Sequence, residues 1–129
     1  MAKTASELST EELGAYRPWQ SMERHRKDPE LSQRKERALK VAEIVAHMLK
    51  KRFQATRVIV FGSLACKDTF TLWSDIDLAV WGIPPEDYYL AAGTAMDMGL
   101  DKGIKVEILD PGDCSPEFLL DIEEEGIVL

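Results

Sequence analysis

The chain has 129 residues, 45% hydrophobic and 30% charged, the composition of one soluble globular domain rather than a multidomain assembly, a collagen or a fully disordered tail. A domain of this length buries roughly two thirds of its unfolded surface and needs neither a disulfide nor a structural metal. Residues 1–58 hold 13 basic and 8 acidic side chains (+5) and residues 59–129 hold 3 and 15 (−12), for a net charge of −7; so acidic a body repels a phosphate backbone, which argues against a general nucleic-acid binder unless the basic N-terminal part acts alone, and suits cations.

Residues 1–31 are polar and broken by Gly14, Pro18 and Pro29, with a capping box from Ser9 to Glu12 and with Tyr16 and Trp19 as large anchors. They read as a partly flexible N-terminal arm ahead of a domain spanning residues 32–129. From Ser32 the pattern becomes a long amphipathic helix, in which Leu39, Ala42, Val45, Ala46, Leu49 and Phe53 recur at spacings of three and four. Val41, Ile44 and Met48 widen its apolar stripe, and Lys50, Lys51 and Arg52 suit the negative end of its dipole.

Arg57 to Phe61 is β-branched and nearly all apolar, as in a strand covered on both faces. Gly62-Ser63 ends it, and Leu64-Ala65-Cys66-Lys67 offers a helix start. Asp75 to Trp81 is a second strand, with Ile76, Leu78 and Val80 on one face and Asp75, Asp77 and Ala79 on the other. A helix from about Glu86 to Met98 follows, then a strand from Ile104 to Leu109. The last helix, Pro116 to Glu125, has Ser115 as N-cap and Gly126 as its stop, and Ile127-Val128-Leu129 is apolar enough to tuck against the body.

Cys66 and Cys114 lie far from each other and from His25 and His47, so no zinc spacing is present, and both cysteines read as free thiols of a reducing compartment. No apolar signal core opens the chain and no run approaches the ~18 apolar residues of a membrane span. The expected location is the cytoplasm.

Asp75-Ile76-Asp77 carries the chemistry. Two carboxylates one residue apart on a strand share a face about 6 to 7 Å apart, and the apolar run behind them places them at the edge of a core strand. On the third strand Lys105, Glu107 and Leu109 share a face, so pairing it with the second brings Glu107 beside the aspartates. Three such charges repel by roughly 4 kcal/mol for a pair about 4 Å apart at an effective dielectric near 20. Mg²⁺, which takes carboxylate, water and phosphate oxygens, resolves that repulsion. Gly62 lets the backbone approach a ligand closely, and helix-start amides with the Ser63 hydroxyl form a phosphate cradle.

In the order strand, Gly-Ser, Asp-x-Asp strand and third acidic strand, the sequence resembles the nucleotidyltransferase superfamily of DNA polymerase beta type, most closely its minimal nucleotidyltransferase proteins. The matching segments are Val58 to Ala65, Ser74 to Val80, Lys105 to Asp110 and Glu125 to Leu129. The resemblance implies an α/β fold, a small mixed β-sheet with helices packed against it. It implies that Gly62 and Ser63 bind the nucleotide triphosphate, that Asp75 and Asp77 hold Mg²⁺, two ions in all, and that Glu107 completes the metal site and helps activate the attacking hydroxyl. Many minimal members are antitoxins paired with a helical HEPN-domain ribonuclease toxin, and some silence it by transferring AMP from ATP to a toxin tyrosine. The implied function is therefore protein adenylyl transfer within such a pair, the alternative being an antitoxin that acts by binding alone. The family often has arginine after Gly-Ser and glycine three residues further on, where this chain has Leu64 and Lys67, and Lys67 can supply the missing charge to the nucleotide. The third acid is usually aspartate, where this chain has Glu107.

Overall fold

Apolar residues at helical spacing form the inner side of helix α1, Pro29–Arg52, where Ala38, Val41, Ala42, Val45, Ala46, Met48 and Leu49 are buried. Proline is well tolerated in a first helical turn, so the helix begins at Pro29 rather than at Ser32. Ile44, expected in the buried stripe, is exposed. The computed structural model describes residues 29–65 and 69–129. The capping box Ser9–Glu12 and the anchors Tyr16 and Trp19 therefore lie outside the described residues, as does Lys67. Arg34–Leu129 form one compact unit, and the architecture that follows belongs to it.

Four strands make one mixed sheet in the order β3-β2-β1-β4. β1 (Arg57–Phe61) pairs antiparallel with β2 (Ile76–Trp81) and with β4 (Ile127–Val128), and β2 pairs parallel with β3 (Val106–Leu109). Helix α2 (Tyr88–Asp101) is the crossover between the two parallel strands, and helix α3 (Pro116–Glu125) leads into β4. The fold is thus α/β, with three helices among the described residues, as the sequence implied.

Strand alternation divides the core in two. Val58, Val60, Ile76, Leu78, Val80 and Val106 are buried on one face. α2 packs against it at β3, since a Cβ added to Gly99 of that helix would lie 2.4 Å from Val106 Cγ2. α1 lies alongside α2, where Val41, Ile44 and Val45 share a groove with Met98. On the other face Ile59, Ala79 and Ile122 form a smaller cluster, edged by Phe61, Trp81, Leu109 and Leu119. α3 therefore sits on the face opposite α2. The Arg57 guanidinium secures its far end, 3.6 Å from Glu123 and 4.9 Å above the Trp81 ring.

The third strand and the C-terminal residues depart in part from the sequence reading. β3 starts at Val106 rather than Ile104 because the Ile104 N–H donates to the Gly99 carbonyl at 2.9 Å, closing the end of α2 instead of joining the sheet. The C-terminal residues do tuck in through their backbone, with the Leu129 N–H donating to Val58 O at 2.9 Å, but Ile127 and Val128 keep exposed side chains. No helix among the described residues is long and apolar enough to cross a membrane.

Candidate active site

Gly62 follows β1 with φ of +77° and opens a short 3-10 turn, Gly62–Leu64, in which the Ala65 N–H returns to Gly62 O at 3.1 Å. The positive φ is a conformation glycine adopts without steric cost. It has a second purpose here. A Cβ at Gly62 would stand 2.7 Å from Asp77 Oδ2, so the bare backbone is what lets the Asp77 carboxylate lie over the turn. The expected helix start after Ser63 is this single turn as far as Ala65, and Cys66–Asp68 lie outside the described residues.

The sheet register assembles the acids. Phe61 stands opposite Asp77 across the antiparallel pair, and Asp77 stands opposite Glu107 across the parallel pair. Gly62, Asp77 and Glu107 are thereby brought to one end of the sheet. Asp75 immediately precedes β2, whose first N–H, from Ile76, donates to Lys105 O at 2.9 Å. The turn before Asp75 is tied by its own side chains: Ser74 Oγ accepts from the Thr71 N–H at 2.9 Å, and Thr71 Oγ1 accepts from the Trp73 N–H at 3.2 Å. Thr71 is a positioning residue that the sequence reading did not single out, although a hydroxyl three residues before Ser74 is an ordinary turn signal. Trp73 itself is 84% exposed.

Asp77 is half-buried, and its carboxyl is pushed up to about 6, first by burial and then by the charges of Glu107 and Asp75, with Lys105 pulling the other way. Glu107 Oε2 is 2.9 Å from Lys105 Nζ, an exposed pair that raises the lysine. As a donor set the three carboxylates fit a hard divalent cation: they are oxygen ligands, they share one end of the sheet, and their mutual repulsion already burdens Asp77. Their side chains are not gathered for it, since no group of three His, Cys, Asp or Glu among the described residues has metal-holding geometry. Glu107 turns instead to Lys105.

A cavity of about 290 Å³ lies on the α3 side of the turn, lined by Phe61, Gly62, Ala65, Phe118, Asp121, Ile122 and Glu125. The Phe61 and Phe118 rings meet edge to face there, 5.8 Å apart. Its carboxylates disfavour phosphate. The sequence reading assigned nothing to Phe118 or Asp121, which α3 carries to the site by its spacing alone.

A family model described as nucleotidyltransferase domain matches residues 31–128, well over half of the chain. The chain belongs to the nucleotidyltransferase domain family. No curated protein matches it. The match spans α1 through β4, so the Gly62 turn, the Asp75 and Asp77 pair and Glu107 all lie within the nucleotidyltransferase domain, and nucleotidyl transfer is the chemistry to which this domain points. Other polar side chains of the domain have ordinary structural partners. Asp110 Oδ1 accepts from the Gly112 N–H at 2.9 Å, as expected of a turn residue, and the Tyr88 hydroxyl donates to Ile108 O at 3.0 Å. Cys114 is a free thiol.

Proposed function

We propose that this chain is an Mg²⁺-dependent nucleotidyltransferase that moves AMP from ATP to a hydroxyl of a protein acceptor, as the antitoxin partner of a HEPN-domain toxin. The observation that carries the transferase reading is the Asp77 carboxylate lying over the bare backbone of Gly62, in register with Glu107 and repelled by it. The protein acceptor and the toxin rest on the resemblance to minimal nucleotidyltransferases.

In the reaction the acceptor oxygen bonds to the α-phosphorus while the bond from that phosphorus to the bridging oxygen of the β-phosphate breaks, and pyrophosphate leaves. Asp75, Asp77 and Glu107 would hold Mg²⁺, which supplies charge neutralisation for the phosphates when bound. The Gly62 turn and the Ser63 hydroxyl orient the β and γ phosphates, so much of the rate gain is positional. The Glu107 carboxylate, half exposed at the strand edge, accepts the proton of the attacking hydroxyl.

One observation favours the binding-only antitoxin as a second reading. Leu64, at the position where the resembled proteins often carry arginine, is 1% exposed and belongs to the core. It cannot reach a phosphate. The deciding experiment is intact mass spectrometry of the helical toxin after incubation with this protein, ATP and Mg²⁺, beside the Asp77→Asn variant. An added mass of one or more AMP units, absent with the variant, is the expected result. Equal inhibition of the toxin by both proteins with no change of mass would establish the second reading.

A further inference from the structure

Helix α2 turns Tyr89, Leu90 and Leu100 to solvent at 87%, 65% and 56% exposure, with Gly93 and Asp97 exposed between them. Their spacing puts them on the side of the helix away from Ala91, Ala95 and Gly99, which are buried toward the sheet. The Tyr89 ring meets Tyr88 edge to face at 5.9 Å. Single exposed apolar residues are ordinary, whereas a row of them marks an interaction surface.

Gly93 is the second observation. Glycine inside a helix is less favourable than alanine, and Gly99 shows the usual compensation, because a Cβ there would stand 2.4 Å from both Ile104 O and Val106 Cγ2. At Gly93 an added Cβ would meet nothing within 4 Å. The folded chain makes no internal use of the missing side chain, while a bare helix backbone between two apolar flanks admits close approach from outside. The charges state what approaches. Asp97 stands within the row, Glu86, Asp87 and Asp101 lie toward its two ends, and no Lys or Arg occurs from Glu86 to Asp101, the next cation being Lys102. Two copies meeting through this face would oppose like charges, which argues against self-association.

We propose that the outer face of α2 is a docking site for a helix of another protein, one whose apolar side crosses at Gly93 and whose flanks carry Lys or Arg. The site lies across the sheet from Asp77 and leaves the acid cluster open, and it holds whether or not the chain transfers a nucleotide.

The test uses the full chain and three synthetic helical peptides that share a leucine and alanine face and differ only in lysine, glutamine or glutamate flanks, with binding followed by fluorescence anisotropy. The lysine-flanked peptide binds about tenfold or more tighter than the glutamate-flanked one, and Gly93→Leu or Leu90→Asp weakens it about tenfold. Gly93→Ala gives the sharper contrast: it raises the melting temperature of the chain and yet weakens the peptide. Absence of binding by the lysine-flanked peptide, or binding indifferent to Gly93→Leu and Leu90→Asp, overturns the proposal. So does a dimer in sedimentation that Gly93→Leu disperses, which would make the occupant a second copy, or a Gly93-dependent association with phosphatidylcholine vesicles.

Discussion

At Asp77 burial and two neighbouring carboxylates act in the same direction, and the consequence is a stability that depends on pH. Its carboxyl rises from 3.8 to about 6 on folding. A raised acid binds its proton more tightly in the folded state, so its stabilising contribution is complete below pH 3.8 and is lost as pH rises through about 6. The shift corresponds to about 3 kcal/mol at full strength, and about 1–2 kcal/mol once the half-exposed setting is screened. In metal-free buffer Asp77→Asn is therefore expected to change stability in urea unfolding little near pH 4 and to raise it above wild type near pH 7.5, by about 1–2 kcal/mol. A variant that is less stable at the higher pH would show that Asp77 is held by a favourable partner instead. The neighbouring Gly62→Ala should lose about 1–2 kcal/mol by its positive φ and, by displacing the Asp77 carboxylate, should lose nucleotide transfer as well. The acids were legible in the sequence because alternation on a strand fixes which side chains share a face. The use of Gly62 to admit Asp77, and the ion pair that draws Glu107 to Lys105, were not, because both depend on the register between strands distant in the chain.

Elements with their own punctuation were read correctly from sequence. α3 runs Pro116–Glu125, with the Ser115 hydroxyl accepting from the Phe118 N–H at 3.2 Å and with Gly126 ending it. Every signal for it is local. Ser115→Ala is expected to cost about 1 kcal/mol, and because α3 also walls the cavity beside Gly62, the loss should appear in thermal melts and in faster amide exchange along that helix. The elements misread at their ends are those decided elsewhere. α2 extends past Met98 to Asp101 because Gly99 packs against Val106 and Ile104 closes the turn, contacts invisible in a helical pattern. Gly99→Ala would press a methyl into backbone and should cost about 1–3 kcal/mol, whereas the same change at Gly93 is stabilising. Denaturation midpoints of the two variants, equal in sign, would refute this assignment of the two glycines.

Across the molecule, the net charge of −7 is concentrated in the part that carries the acid end of the sheet, and the fold tolerates it by setting Asp75, Asp77 and Glu107 at the mouth rather than in the core. Mg²⁺ and ATP bound as proposed would relieve the repulsion among these carboxylates, so substrate binding and stability would be coupled. Magnesium alone should raise the melting temperature slightly by screening the carboxylates. ATP alone brings further negative charge and should do little. The two together neutralise both partners, and a ligand at about 100 times its dissociation constant adds about 2.7 kcal/mol to the folded state, or roughly 10 °C for a domain of this size. The expected thermal melts are therefore non-additive, with the large shift confined to the combination, reversed by EDTA, and missing in the Asp75→Asn, Asp77→Asn double variant even though that variant is the more stable protein without ligands. A melt unmoved by saturating Mg²⁺ and any nucleoside triphosphate would remove the donor from the proposed reaction. It would leave the carboxylates as a charged edge of the nucleotidyltransferase domain and Leu64 as the residue that closed the phosphate site.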